Sequence, residues 1–226
     1  MNITFYGHAC FGIEVNGKHI VVDPFISGNP KAAHIAIEDI KADYILVTHA
    51  HQDHVLDVEA IAENTGAKVI SNYEIVNHFI AMGLKGHHLN HGGTFICDAF
   101  KAKYVNAVHT SSFSDGSYGG QPGGFVITSA STSVYVAGDT SVHFDMKLIP
   151  MFSRLNLAIL PIGDTFTMGV DEAIIASDFI QCNRIIGCHF NTFPPIEINI
   201  ESVKKKFADK DKELLLLAIG EKIKVN

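Results

Sequence analysis

Four side chains that can bind a metal lie within six consecutive positions of the chain: His49, His51, Asp53 and His54. They follow the apolar run 44–47, whose pattern is typical of a strand buried on both faces. In an extended segment, residues two apart point the same way, so His49 and His51 can contribute to one site. Asp53 and His54 then turn toward a second position. Imidazole nitrogens and carboxylate oxygens suit Zn²⁺, Mn²⁺ or Fe²⁺, so the segment predicts a metal centre.

Three more residues of ligand type follow apolar strands that the sequence predicts further along the chain: His109, Asp139 and His189. Each stands at the C-terminal end of its strand, as His49 does. Strands that deliver side chains to the same edge of a sandwich can bring them together in one cleft. A single polar residue at a strand end is common, but the repeated placement predicts that all seven residues form one centre.

Composition limits the classes of protein to which the chain can belong. Of its 226 residues 47% are hydrophobic and 18% are charged, which excludes a disordered chain or a coiled coil. The 17 Lys and Arg against 24 Asp and Glu give a net charge of −7, which disfavours a protein whose main task is to grip a phosphate backbone. The 13 His are the unusual feature. The net charge therefore disfavours a nucleic-acid partner, and the histidine surplus directs attention to a metal site.

Short apolar runs rich in β-branched residues alternate with turns and helical patterns throughout the chain. The predicted strands are 3–6, 11–15, 19–22, 44–47, 94–97, 101–108, 124–128, 133–136, 157–160, 184–186, 214–217 and 222–225. The predicted helices are one that contains Val58, Ile61 and Ala62, then 74–82, 146–152, 171–181 and 200–208. Strands and helices in both halves predict an α/β (α+β) fold, a four-layer αββα sandwich of two mixed sheets, with residues 1–226 as one domain.

Two other regions receive predictions of their own. His87, His88 and His91 are close in sequence but lack the strand-end placement, so we expect them on a surface loop. The segment 111–124 contains five Gly, four Ser and one Pro and begins two residues after His109. Long loops of this kind are usually functional or disordered, and we expect this one to shape the substrate pocket.

The ligand-type residues resemble, in order and rough spacing, the signature of the metallo-β-lactamase superfamily: His49-Ala50-His51-Gln52-Asp53-His54, then His109, Asp139 and His189. Further motifs resemble one group within it, the metal-dependent hydrolases known as UPF0173. They lie at 7–11, 22–24, 138–140, 161–169 and 189–194, and so cover essentially the whole chain. One departure is Gln52, where that group usually has Gly. It replaces no ligand and bears on loop shape.

The resemblance implies a metal-dependent hydrolase with two divalent ions, of which Zn²⁺ is the first expectation and Mn²⁺ or Fe²⁺ the alternatives. One ion would be held by His49, His51 and His109. The other would be held by Asp53, His54 and His189, with Asp139 as the bridge. Among these, Asp139, Asp53 and His189 are the expected catalytic residues. A hydroxide shared by the two ions would be the nucleophile. No Glu lies between His49 and His54, which favours hydrolysis over the oxygen chemistry of diiron relatives.

Residues around the ions follow from the same resemblance. Asp23 ends its own short strand and would hold the histidine segment by accepting a hydrogen bond, although a plain turn residue before Pro24 is the alternative. His8 would contact substrate or simply form a turn. Thr167, Asn191 and Thr192 lie on loops that would approach the metals.

The leading hypothesis is hydrolysis of a small-molecule, ester-like substrate, and a lactone, a phosphodiester or a thioester would all suit such a centre. The competing functions are a nucleic-acid-processing metallo-hydrolase, which the net charge disfavours, and a non-catalytic metal-binding or ligand-binding protein, which the full ligand set disfavours. No run of about 18 apolar residues and no signal peptide are visible, so we expect no membrane segment and a cytoplasmic location. A homo-oligomer is compatible with the sequence, and the four Cys are expected to be reduced.

Overall fold

Two mixed β-sheets of seven strands each form the centre of the fold in the computed structural model, which describes residues 1–130 and 132–226. The strands of the first sheet are β1 (Asn2–Gly7), β2 (Cys10–Val15), β3 (Lys18–Val22), β4 (Tyr44–Leu46), β5 (Lys68–Asn72), β6 (Lys85–Leu89) and β14 (Lys222–Lys224). Those of the second are β7 (Thr94–Ile96), β8 (Lys101–Asn106), β9 (Gly123–Ser129), β10 (Thr132–Val136), β11 (Leu157–Pro161), β12 (Arg184–Cys188) and β13 (Glu213–Leu215).

Both sheets have the same internal organisation. In the first, with the order β14-β1-β2-β3-β4-β5-β6, antiparallel pairing runs from β14 to β3 and parallel pairing from β3 to β6. In the second, with the order β13-β12-β11-β10-β9-β8-β7, parallel pairing runs from β13 to β10 and antiparallel pairing from β10 to β7. Because the carboxyl ends of parallel strands lie at one edge, each sheet can present loop residues there together.

Helices cover the outer faces of the sandwich. They are α1 (Gln52–Val55), α2 (Val58–Thr65), α3 (Tyr73–Ala81), α4 (Ile149–Phe152), α5 (Val170–Phe179) and α6 (Ile200–Ala208). A core between the sheets is built around side chains such as Phe11, Phe125 and Tyr104. Two further apolar clusters fill the space between each sheet and its helices. The predicted four-layer αββα sandwich is therefore confirmed.

The sequence analysis predicted neither β5 nor β6, two parallel strands of the first sheet. One prediction was wrong for this reason. β6 contains His87 and His88, which we expected on a surface loop. Its sequence, Lys-Gly-His-His-Leu, lacks β-branched residues, and the strand forms because β5 pairs with it along five residues. Tertiary pairing overrides the weak local preference here.

Other boundaries differ only slightly from the predictions. The predicted helix 146–152 is a 3₁₀ helix over Phe144–Leu148 that continues into α4, where Pro150 occupies an early helical position. β8 ends at Asn106, so His109 follows its strand after a short interval. Within the described residues, no helix combines the length and the apolar character needed to cross a membrane.

Candidate metal centre

The predicted ligands come from the segments that follow β4, β8, β10 and β12, and they meet at one end of the sandwich; Asp53 and His54 lie on the short helix α1, and the others lie in loops. The backbone there takes unusual conformations. His8, Asp23 and His189 follow the last residues of β1, β3 and β12 directly, and all three have left-handed φ values of 54°, 47° and 53°. Such values are uncommon outside glycine, and they concentrate where the surrounding structure enforces them. In this chain they turn each side chain away from its strand and toward the site.

The histidine segment itself is fixed from behind. The carbonyl of Thr48 accepts hydrogen bonds from Gly123 N at 3.0 Å and from the buried Tyr104 hydroxyl at 2.8 Å. Ala50 N donates to Ser111 Oγ at 3.1 Å. The backbone that carries His49 and His51 is therefore held by the second sheet and by the start of the segment 111–124.

Asp139 lies at the middle of the group. Its Oδ2 is 3.0 Å from His189 Nε2, 3.3 Å from His54 Nε2, 3.7 Å from His109 Nε2 and 3.9 Å from His49 Nε2. The carboxylate is almost fully buried. Burial alone raises the pKa of Asp139, but the neighbouring His54 and His189 lower it well below its usual range, so the group is a carboxylate.

The first trio consists of His49, His51 and His109, whose ring nitrogens lie within 4.8 Å of one another. His49 Nε2 is 3.1 Å from His51 Nδ1, and the ring centroid of His109 is 5.1 Å from that of His49 and 5.0 Å from that of His51. Burial lowers the pKa of all three imidazoles, more strongly for His49. They are therefore neutral near pH 7, the form in which imidazole binds a metal.

The second group consists of Asp53, His54 and His189, with His8 beside them. Burial lowers the pKa of His54, but Asp139 and Asp23 outweigh it and raise the pKa well above its ordinary value. The same opposition, with Asp139 and Asp53 as the raising groups, brings the pKa of His189 to about 9. The carboxylates beside His54 and His189 therefore favour a positive charge in the second group, either on the rings or as a bound cation. The first trio contains no carboxylate.

The donor set fits a metal. His54 Nε2 and Asp139 Oδ1 are buried atoms with no hydrogen-bond partner, and buried polar atoms in native proteins are rarely left so. Ligand-type atoms of two neighbouring groups crowd around Asp139. Histidine nitrogens and carboxylate oxygens are ligands for Zn²⁺ and related ions. We conclude that the arrangement can bind divalent metal.

Asp23 supports the second group through hydrogen bonds to His54 and Thr48. Its Oδ2 accepts from His54 Nδ1 at 2.9 Å and from the Thr48 hydroxyl at 2.7 Å, and its Oδ1 accepts from Thr48 N at 2.8 Å. With Nδ1 of His54 engaged in this way, Nε2 is left to face Asp139. Such a carboxylate fixes both the tautomer and the orientation of a ligating histidine.

His8 is buried under the second group and does not reach the edge of the cleft. Its Nε2 lies 3.0 Å from Asp53 Oδ2, and its Nδ1 lies 2.9 Å from Thr192 Oγ1. Burial lowers the pKa of His8 to about 4, so the ring is neutral, donates from Nε2 to Asp53 and accepts from the Thr192 hydroxyl. Thr192 therefore contacts His8, which in turn contacts the ligand Asp53.

A cavity of about 490 Å³ opens over the centre, and its walls include four residues that were not predicted as site residues: Thr110, Thr165, Phe166 and Phe193. The last three lie within the motifs 161–169 and 189–194 that carry the family resemblance. Thr167 and Asn191, which we expected near the metals, are outside this lining in the described chain. The Thr167 side chain is buried and lies 3.4 Å from its neighbour's carbonyl. Asn191 Oδ1 accepts from Ile198 N at 2.8 Å. The motif 161–169 was the available signal for Thr165 and Phe166, but their contact with the cavity depends on a backbone conformation that residue type alone does not indicate.

The segment 111–124 does not line the cavity in the described structure. Phe113 stacks on His78, with ring centroids 3.8 Å apart, and packs against α3. Gly119 approaches Ala50 and Ser111 so closely that a Cβ would lie 2.2 Å from Ala50 Cβ. The segment supports the histidine backbone and does not cover a ligand there. The expectation that it shapes the substrate pocket is therefore not supported by its placement.

Comparison with known proteins agrees with this geometry. A family model described as a beta-lactamase superfamily domain matches residues 2–189. UPF0173 metal-dependent hydrolases of Flavobacterium johnsoniae and Christiangramia forsetii are 61% and 58% identical, each over 100% of this chain and of their own. The structure of a metallo hydrolase from the archaeon Ignicoccus hospitalis is 31% identical, has a TM-score of 0.89, and is matched over 98% of this chain and 97% of its own.

The sandwich, the clustered ligand-type residues and full-length similarity lead to one assignment. The chain belongs to the metallo-β-lactamase superfamily and, within it, to the UPF0173 family of metal-dependent hydrolases.

Proposed function

We propose that this protein is a dinuclear metal-dependent hydrolase that acts on a small ester-like substrate: a lactone, a phosphodiester or a thioester. The observation that carries the proposal is the position of Asp139. Its Oδ2 lies within 4 Å of ring nitrogens from both histidine groups, at 3.7 Å from His109 and 3.0 Å from His189. A carboxylate between two sets of donors is suited to bridge two ions.

The residues divide into two ligand sets in this proposal. His49, His51 and His109 hold one ion, and Asp53, His54 and His189 hold the other, with Asp139 shared. When bound, a pair of divalent ions lowers the pKa of water and polarises the oxygen of the bond under attack. Zn²⁺ is the proposed ion, since tight His-rich sites of this kind suit it best, and Mn²⁺ and Fe²⁺ are the alternatives.

The protein's own groups keep the centre in shape. Asp23 orients His54, and His8 orients Asp53 through a hydrogen bond of 3.0 Å. Asp53, Asp139 and His189 line the cavity and so face the substrate. These three are the proposed catalytic residues, because each is placed both to bind metal and to contact the reacting group.

Metal analysis and a substrate screen test the proposal together. Purified protein should be stripped of metal, reconstituted with Zn²⁺, Mn²⁺ or Fe²⁺, and analysed for metal content by mass spectrometry. We expect about two ions per chain at saturation. Each preparation should then be assayed on a lactone, a phosphodiester and a thioester. A saturating content of one ion or less would contradict the dinuclear centre, and two ions without turnover of any class would contradict hydrolysis of such substrates.

The nucleic-acid-processing alternative requires a different result. Binding of RNA that weakens steeply with added salt would support it, because contacts to phosphates release counterions. The net charge of −7 predicts no such binding.

A further inference from the structure

The walls of the cavity over the metal centre differ in character from its floor. The floor is formed by five of the seven proposed ligands, and the wall by Thr110, Thr165, Phe166 and Phe193. We propose that this wall selects uncharged acyl substrates that carry an aryl or alkyl group, namely esters, lactones or thioesters, over phosphodiesters. The inference rests on the proposed hydrolase function and specifies its substrate class.

Phe193 forms a fixed part of the wall. Its ring lies edge-on to the buried His8 ring, with centroids 5.4 Å apart, and its centroid is 6.3 Å from that of Phe25. Because His8 also forms a hydrogen bond to Asp53, it contacts both the aromatic wall and a proposed metal ligand. An apolar group seated on Phe193 would lie at a defined distance from the reacting bond.

Phe166 forms the open part of the wall and remains 54% exposed although its ring is large and apolar. It follows Asp164 and Thr165, two consecutive non-glycine residues in the left-handed region with φ of 62° and 55°. Such conformations cost energy and persist only where the surroundings impose them. An exposed Phe at the end of a strained turn, beside a cavity, is suited to cover a bound apolar group.

Two contacts hold this turn against the rest of the site. Thr165 Oγ1 donates to the carbonyl of Pro195 at 2.9 Å, which links the turn to the segment that carries Phe193. Gly163 lies so close to His189 that a Cβ there would be 2.1 Å from the His189 carbonyl oxygen. Both aromatic residues are therefore positioned from the same loop pair as His189.

The charge of the cavity lining favours the same substrate class. The lining contains no Lys or Arg among the residues that the structure describes. Lys31, beside this loop pair, is outside the lining and donates to the carbonyl of Asn191. Proteins usually hold the oxygens of phosphate esters with Arg, Lys or helix N-termini in addition to metal. A substrate group that extends beyond the metals here meets aromatic faces, which favour an uncharged apolar group.

The reaction for this class is a simple hydrolysis. The oxygen of water forms a bond to the acyl carbon, and the bond from that carbon to the ester oxygen or thioester sulfur breaks. One proton of the water passes to the leaving alkoxide or thiolate. The products are a carboxylic acid and an alcohol or thiol, which remain joined in one molecule when the substrate is a lactone.

The test compares matched probes on wild type, Phe166→Ala and Phe144→Ala. Phe144 is a suitable control because its ring is 76% exposed and lies on the 3₁₀ helix 144–148, outside the cavity lining. The substrates are γ-butyrolactone, γ-phenyl-γ-butyrolactone and bis(4-nitrophenyl) phosphate. The binding probes are the corresponding lactams, which resist hydrolysis, with dissociation constants measured by calorimetry on zinc-loaded protein.

In wild type we expect the phenyl lactam to bind roughly tenfold more tightly than the parent lactam, in line with burial of one aromatic face. The phenyl lactone should show a similar preference, mainly in KM, and both lactones should be cleaved more efficiently than the phosphodiester. Phe166→Ala should lose most of the phenyl preference, whereas Phe144→Ala should keep it.

The outcomes separate this inference from the proposed function. Efficient cleavage of the phosphodiester, or equal binding of both lactams, overturns the substrate class and leaves the hydrolase intact. A phenyl preference that survives Phe166→Ala also overturns it. If no substrate is cleaved but the lactams show a phenyl preference that depends on Phe166, the wall is confirmed and the hydrolase function fails.

Discussion

Two regions of this protein are rich in histidine, and they behave in opposite ways. In the segment 49–54, three imidazoles converge with Asp53 and Asp139. In the region 87–91, His87 and His88 are neighbours on the edge strand β6, so their rings point to opposite faces of the sheet. Within the described residues, no cluster of three ligand atoms includes any histidine of the second region.

Each histidine of the second region has an ordinary structural partner instead. His88 Nε2 lies 2.9 Å from Asn77 Oδ1, and the ring of His87 packs edge-on to Phe95 with centroids 5.0 Å apart. His91 donates to the carbonyl of Pro122 at 2.9 Å and stacks on Tyr104. A high local density of histidine is therefore not sufficient for a metal site. The metal site instead depends on a segment at the carboxyl end of a strand and on carboxylates that follow other strands.

The largest expected difference concerns Asp139. Asp139→Ala should lower kcat on any substrate that the wild type cleaves by about a thousandfold, since the proposed centre would lose the ligand shared by its two ions, a loss of several kcal/mol. The fold should persist, because the side chain lies in a loop and not in an apolar core. Steady-state kinetics and circular dichroism measure the two effects. His88→Ala, in the other region, should keep wild-type turnover. Near-normal activity of Asp139→Ala would refute its assignment as the bridge.

Metal content should distinguish the two regions next. His49→Gln should reduce the zinc content from about two ions per chain to about one or less, because it removes a donor of the first trio. The combined variant His87→Gln, His88→Gln, His91→Gln should retain about two. Elemental analysis after reconstitution and desalting decides this. A loss of zinc from the combined variant would show that the second region binds metal and that the comparison is wrong.

A smaller effect is expected for the support beneath the ligands. Asp23→Asn should weaken zinc affinity or activity by roughly 10- to 100-fold, because the amide can no longer hold His54 Nδ1–H as a carboxylate does. Asp43→Asn is a matched control, since Asp43 bonds to Lys18 and His19 at the other end of β4. Competition with a zinc-binding dye measures the affinity. Equal affinities in the two variants would mean that Asp23 does not orient the ligand.

The smallest effect belongs to the structural histidines. His91→Ala should lower the free energy of unfolding by about 1 kcal/mol through loss of its hydrogen bond, which is a shift in Tm of roughly 2–4 °C. Zinc content should not change. His34→Ala, at an exposed position, should leave Tm unaltered. A change in zinc content with His91→Ala, measured on the same samples, would contradict a purely structural role.

The fold class and the candidate ligands could be predicted from the sequence alone. Apolar runs with turns and helical spacing predicted the sandwich, since burial follows a short-range pattern in the chain. The seven ligand-type residues were recognisable because four of them follow predicted strands and the other three share the segment 49–54 with His49, and both features are visible in the local sequence. The same reasoning assigned His87 and His88 to a loop, because β6 has little strand propensity and forms only against β5.

How these residues meet, and which residues surround them, depends on the tertiary structure. Asp139 is central only because loops from both sheets converge on it, and these contacts join residues that are far apart in sequence. The left-handed backbone at His8, Asp23, Asp164 and Thr165 has no signature in residue type, yet it directs two supporting groups to the ligands and Phe166 to the cavity. Local preference is set by neighbours in the chain, whereas these conformations are imposed by packing between distant segments.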